Sequence, residues 1–458
     1  MSQRSVRYAW YVAGLLTLVQ IVSYLDRFLP SLLVPPIKHD LGINDFQIGL
    51  LLGPAFIFFY ITLGIPLGWL ADRVNRRWLL SAGVAVWCSL TAAGALAGSF
   101  VPLFMTRLGV GIGEAAVAPA SISLISDYFP RDRRSAAISL FMAGAFLGAG
   151  IAFLFFGPLV HAIEGLPPIT LPLFGPLRSW RLCFLIIGAP GILLTLLLLT
   201  IAEPRRADRV ALTEGGTLGA TGFAAGLTYI GRRWRAFGTL FLASACNLTM
   251  GALALWNVAL FERTWGWNVA QVGFAVGLIL LTAGPIGTVA GAYLTNRDLR
   301  AGRCDGTLRA LFLGLLIGVP AYTVFPLMPS ASLGLVALFV ALIGQSISTC
   351  AGPATLVTLA PGQIRAQATA VYYLVISVIA QLIGPPLVGL IADELGGPKS
   401  LRYAISIVAA AVGVPSIWLV ALGFGAYRRQ VTQLDQEIDA LAVRTLSVSP
   451  APTIVGAK

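Results

Sequence analysis

The sequence predicts an all-α membrane protein with twelve transmembrane helices in two pseudo-symmetric six-helix bundles. Of its 458 residues, 57% are hydrophobic and only 11% are charged, with a mean hydropathy of +0.85. A soluble domain has about 25% charged residues. The apolar residues fall in runs of about 20, the length that crosses a bilayer as a helix. The longest polar connection, 203–236, divides those runs six and six.

The first run, 9–34, is too long for a secretory signal and lacks a small-residue cleavage site, so it is expected to remain as a helix. It holds Tyr24-Leu-Asp26-Arg27. Runs 46–70 and 78–98 flank the loop Gly68-Trp-Leu-Ala-Asp72-Arg73-Val-Asn-Arg76-Arg77. The fourth run, 102–126, carries Arg107 and Glu114 well inside it, interleaved with Gly109, Gly111 and Gly113. The fifth, 135–160, has Gly144, Gly148 and Gly150, and both glycine sets allow helices to approach closely. A proline-rich connection, 161–180, is expected to be ordered against the outer face before the sixth run, 180–201. The second half repeats the pattern at 237–262, 269–294, 308–327, 332–358, 366–391 and 402–426. The chain therefore divides into a first bundle (1–202), a cytoplasmic linker (203–236) with a short amphipathic helix at 222–229, a second bundle (237–427) and a cytoplasmic tail (428–458). The tail is expected to form a surface helix over 431–441 and to be disordered from 447.

Charge sets the orientation. Alternate loops, counted from the N-terminus, hold 23 of the 31 basic residues, the other set holds six, and the remaining two are Arg27 and Arg107. Basic loops stay inside, so both termini are expected in the cytoplasm. The net charge of +12 is thus a topology signal, and no nucleic-acid partner is expected. The five cysteines show no CxxC spacing and read as small core residues. With no cleavable signal or organelle signal read, a bacterial inner membrane and a monomer are expected.

Charges deep in a bilayer cost roughly 2.5–3.5 kcal/mol on insertion scales and are functional by default. Asp26, Arg27, Arg107 and Glu114 are such charges. Helix 1 runs outward and helix 4 inward. At a rise of about 1.5 Å per residue, Asp26 and Arg27 fall between the heights of Arg107 and Glu114. Asp26–Arg107 and Arg27–Glu114 pairs are both reachable. Protonating either acid leaves an arginine able to bind an anion or phosphate. Asp26 and Glu114 are the proton-coupling candidates, and Arg27 and Arg107 the salt-bridge or substrate-binding ones. His39 and His161 sit in or near outer loops and are poor proton carriers.

The second half has no charge deep in a helix. Its candidate cavity residues are Asn247, Trp256, Asn257, Gln345, Ser346, Tyr372, Tyr373 and Gln381, joined by Tyr24 from the first half. Scattered aromatics and amides in an apolar wall suit a substrate with a tail.

The Gly68–Arg77 loop resembles the signature loop of the major facilitator superfamily, and Arg107-x-x-x-Gly111-x-Gly113-Glu114 resembles its helix-4 motif. That resemblance implies repeated halves rocking about a central site. Two short echoes agree: Leu70-Ala-Asp72-Arg73 with Leu294-Thr-Asn296-Arg297, and Pro130-x-x-x-Arg134 with Pro361-x-x-x-Arg365. Asp72, Arg73, Arg76 and Arg134 are candidates for a latch at the cytoplasmic gate.

Within the superfamily the chain resembles the spinster family. The carrying residues are Tyr24-Leu-Asp26-Arg27, Arg107 to Ala115, Ser126-Asp127-Tyr-Phe129-Pro130, and Ser179-Trp180-Arg181 leading to Gly188-Ala-Pro190-Gly191. The resemblance implies proton-coupled transport of a lysophospholipid or sphingolipid-like amphiphile, with protons as coupling ion and no other cofactor. An anion–cation symporter family of organic-acid carriers shares the helix-1 Asp-Arg and the helix-4 Arg with Gly-Glu, so organic-anion/proton symport stays open. A receptor or enzyme is disfavoured, because no signalling domain, nucleotide loop, metal cluster or nucleophile constellation is read.

Overall fold

The computed structural model describes residues 3–71, 73–129, 131–164, 169–171, 175–204, 223–361 and 365–448. Among these, twelve helical spans follow one another. The first half holds α1 (Val6–Leu32), α2 (Asp45–Gly64), α3 (Arg76–Gly94), α4 (Phe100–Tyr128), α5 (Leu140–Ile163) and α6 (Ser179–Leu198). The second holds α7 (Trp234–Trp265), α8 (Val269–Arg300), α9 (Gly306–Leu327), α10 (Ala331–Leu359), α11 (Ala368–Leu395) and α12 (Ser400–Leu434). Eleven of these are long and apolar enough to cross a membrane. The other is α3, a 19-residue helix that opens on Arg76 and Arg77 and carries Ser81, Ser89 and Thr91. An even number of spans brings the start of α1 and the end of α12 to one side, termed the terminal face; the other is the opposite face.

Three expected features differ in detail. The helix beginning at Ser400 runs unbroken to Val448, so the boundary expected at 427 falls inside it and the surface helix at 431–441 is part of it. Residues 449–458 lie outside the described residues. The helix expected at 222–229 is Phe223–Arg232. The connection before α6, expected as an ordered proline-rich segment, contains a small antiparallel hairpin, Ile169–Leu171 with Gly175–Leu177, outside the helical spans.

Several spans are interrupted where the sequence weakens the helix. Asn44 and Gln47 form a capping box that starts α2. α2 breaks at Gly53, ahead of Pro54. α4 breaks after Glu114 and resumes at Val117. α5 contains a π-turn over Ala152–Phe156.

The core shows how the halves join. One apolar cluster is built from first-half residues around Val12, Leu16, Val84, Trp87 and Phe141, with Leu382 of α11 packed against it. A larger one fills the second half and continues into the opposite-face ends of the first-half spans through Leu29, Leu33, Ile48, Leu51 and Trp180. The halves are therefore fused at the opposite face. Polar contacts reinforce that closure. Arg263 of α7 donates to both carboxylate oxygens of Asp45 at 2.7 and 2.9 Å. Lys38 pairs with the same carboxylate at 2.6 Å. Asp393 of α11 accepts from the Asp45 and Phe46 amides at 3.0 and 2.8 Å, capping the start of α2.

The α2–α11 crossing leaves no room for a side chain at Gly53, whose Cβ would strike the Gln381 carbonyl oxygen. Gly53→Leu is expected to push the two helices apart at a cost of about 1–3 kcal/mol. Thermal unfolding in detergent reads this as a lowered midpoint. A midpoint equal to wild type would mean that the crossing tolerates separation.

Candidate functional site: a paired charge layer between α1 and α4

Asp26 and Arg27 are neighbours on α1 and so point about 100° apart. Arg107 and Glu114 are seven residues apart on α4, two turns along one face. One acid–base set meets the other because α4 sits very close to its neighbours. A Cβ at Gly111 would strike the Phe56 carbonyl oxygen of α2. A Cβ at Gly148 would come within 2.6 Å of the Ile21 carbonyl oxygen, so α5 seats as closely on α1.

The two pairs form as the heights require. Arg107 Nη1 donates to both Asp26 carboxylate oxygens at 3.2 and 3.1 Å, and its Nη2 donates to the Asp26 carbonyl at 3.2 Å. Thr91 of α3 adds a hydroxyl donor to Asp26 at 3.0 Å. Arg27 reaches the other way: its Nε and Nη2 each lie 2.8 Å from Glu114 Oε2. Ser23 donates to the same oxygen at 2.6 Å. Glu114 Oε1 is buried with no hydrogen-bond partner among the described residues. The four formal charges cancel, which lowers the cost of burying them.

Exposure separates the four. Asp26 and Glu114 are fully buried and Arg107 is 2% exposed, but the Arg27 side chain keeps 20% of its surface. Arg27 is thus the charge a ligand could reach. Its guanidinium carbon lies 4.8, 4.5 and 4.6 Å from the ring centres of Tyr24, Phe56 and Tyr60, a cation–π cage. Ser23, Thr91, Phe56 and Tyr60 were not singled out from sequence. The i, i+4 spacing of Phe56 and Tyr60 was a signal, but lipid-facing aromatics share it.

A cavity of about 350 Å³ lies midway along the spans, between α1, α5, α7, α8 and α10. Phe28, the residue after Arg27, lines it with Asn257, Gln345, Ser346 and Thr349 in a largely apolar wall. Asn247 stands behind that wall, donating to Thr349 Oγ1 at 3.0 Å. The other second-half candidates do not line this cavity. Trp256 is fully buried, because its indole N–H finds the Pro385 carbonyl at 3.2 Å and ties α7 to α11. Tyr372 packs edge-on against Phe241, and Tyr373 is half exposed beside it. The Gln381 backbone makes the crossing with Gly53.

Of the expected gate residues, Asp72 and the Arg134 side chain lie outside the described residues. Arg73 is exposed. Arg76 is buried and pairs with Asp127 at 2.6 Å and Glu203 at 2.8 Å. Those partners belong to its own half, so Arg76 clamps α3 to α4 and to the segment after α6.

Two six-span halves enclosing a central cavity, with a compensated charge layer in one half, are the architecture of a secondary transporter. The Major Facilitator Superfamily pattern matches residues 16–303, and the chain belongs to that family. It is a multi-pass membrane transporter, not an enzyme. An "MFS-type efflux pump" of Mycolicibacterium smegmatis is 29% identical over 448 residues, covering 93% of this chain and 95% of that protein. "Protein spinster" of Drosophila melanogaster is 26% identical over 326 residues, covering 69% of this chain and half of that protein. The fold superposes with a TM-score of 0.75 on a bacterial homologue of the human lysosomal transporter spinster in an inward-facing, unoccupied conformation, at 26% identity over 94% of this chain and 98% of that one.

Proposed function

We propose that the protein is a proton-coupled secondary transporter of amphiphilic lipids, lysophospholipid- or sphingolipid-like, working by alternating access. The observation that carries this reading is Arg27: partly exposed, caged by three aromatic rings, tied to the buried Glu114, and followed on α1 by a residue that lines an apolar cavity. A proton arriving at Glu114 Oε1 neutralises the acid and loosens its hold on Arg27. The guanidinium then receives the anionic head of the substrate, while the tail lies along Phe28, Phe146 and Phe153. Asp26 and Arg107 supply a second, fully buried pair that responds when the first is broken. The terminal face is the cytoplasmic face of a bacterial inner membrane, so closure at the opposite face is the inward-facing state of a monomer. Asp72, Arg73 and Arg134 form the latch that closes the terminal side in the other state.

The test is a panel of lysolipids, sphingoid phosphates and small organic anions. Thermal stabilisation and flux driven by a pH gradient are measured in liposomes. Saturable lysolipid or sphingoid-phosphate flux that rises with the gradient is the expected result. Saturable flux of a dicarboxylate with no response to any lysolipid would replace this reading with organic-anion/proton symport.

A further inference from the structure

We infer that the protein holds an anionic phospholipid on its lipid-facing surface, in the seam between α7 and α12 at the terminal face. Two contacts set the register of this antiparallel pair. Arg233 Nε donates to Gln430 Oε1 at 3.1 Å, and a Cβ at Gly423 would lie 3.0 Å from the Thr239 hydroxyl oxygen. On that register Arg235 falls opposite Tyr427 and Arg428, within about 3 Å of the height of Arg429. On α12, Arg429 ends a stripe at i, i+4, i+7 and i+11 that begins with Trp418 and Leu422, which are 65% and 75% exposed. On α7, Arg235 is exposed, its guanidinium carbon lies 5.9 Å from the ring centre of exposed Trp234, and exposed Leu242 follows two turns on. The buried faces of both helices, with Phe237 and Leu240 on α7 and Val420 and Tyr427 on α12, turn to the core, so the exposed faces flank one seam.

Charge complementarity names the occupant. Among the described residues neither Arg235 nor Arg429 makes an ion pair, and Arg429 Nε donates to the Gly425 carbonyl at 3.1 Å. Two guanidiniums within one turn of each other in height, where an apolar stripe ends beside an interfacial tryptophan, match a phosphodiester with its acyl chains lying along the stripe. The seam is off the face by which α7 lines the cavity through Leu248 and Gly251, so the site does not depend on what is transported.

The test uses the full chain, purified and delipidated, titrated with dioleoylphosphatidylglycerol, dioleoylphosphatidylcholine or inorganic phosphate. Native mass spectrometry counts bound lipid, and the thermal midpoint is followed in parallel. Phosphatidylglycerol is expected to bind in preference to phosphatidylcholine. Arg235→Gln and Arg429→Gln should each weaken it about fivefold, and the pair roughly 25-fold. Arg300→Gln, an exposed arginine at the terminal-face end of α8, should leave it unchanged. Equal binding of both lipids, or an unchanged affinity in the double variant, overturns the site. A midpoint raised as much by inorganic phosphate as by the lipid overturns its assignment to a phospholipid.

Discussion

Glu114→Gln is expected to abolish flux driven by a pH gradient, by a factor of about 100 or more, in a protein that still folds. Glutamine keeps the shape of the side chain and an oxygen that can accept from Ser23 and Arg27. It cannot take up or release a proton. Arg27 then has no counter-charge in Glu114, and keeps a neutral amide oxygen beside the rings of Tyr24, Phe56 and Tyr60. An anionic substrate should therefore bind at least as well as in wild type, while its movement no longer follows the gradient. Liposomes with an imposed pH difference separate the two effects, because binding and gradient-driven flux are read independently. Asp26→Asn should also lose coupling, but through the buried pair, and so with a smaller effect on binding. Wild-type gradient-driven flux in both variants would falsify proton coupling through this layer.

The sequence made the charge layer legible because charge is so rare in these helices. Once the loops accounted for the other basic residues, Arg27 and Arg107 stood out, and helical rise alone put Asp26 and Glu114 within their reach. The glycines of α4 and α5 were legible too, since close approach is the common reason for such runs in membrane helices. The cavity wall was much less so. Trp256, Tyr372 and Gln345 are all polar-tipped residues in apolar runs, yet only Gln345 faces the cavity. Which way each one turns depends on the rotation of its helix, and a uniformly apolar span gives no periodic signal to fix that rotation. The partners of Arg76 were not legible for a related reason. Arg76 looked like a loop charge, but Asp127 and Glu203 come to it from distant parts of the chain, and no spacing rule links them. The opposite-face lock of Asp45 with Arg263 and Asp393 joins the halves across 218 and 348 residues and was missed for the same reason.

Arg107→Leu is expected to be the most damaging single change to stability. It leaves Asp26, fully buried, with the Thr91 hydroxyl as its remaining side-chain donor. Breaking a buried pair from one side costs about 3–5 kcal/mol, because the surviving charge has no compensation. Removing both charges should be far milder. In Asp26→Asn with Arg107→Gln, two neutral amide side chains can bond to each other and to Thr91, and most of the lost stability should return. Arg27→Leu should cost less than Arg107→Leu, since Arg27 is partly exposed and Glu114 keeps its bond from Ser23. Thermal unfolding of the three variants and wild type in one detergent orders them: Arg107→Leu lowest, then Arg27→Leu, then the double variant, then wild type. A wide gap between Arg107→Leu and the double variant means that the cost lies in the partner left unpaired and not in the lost bonds themselves.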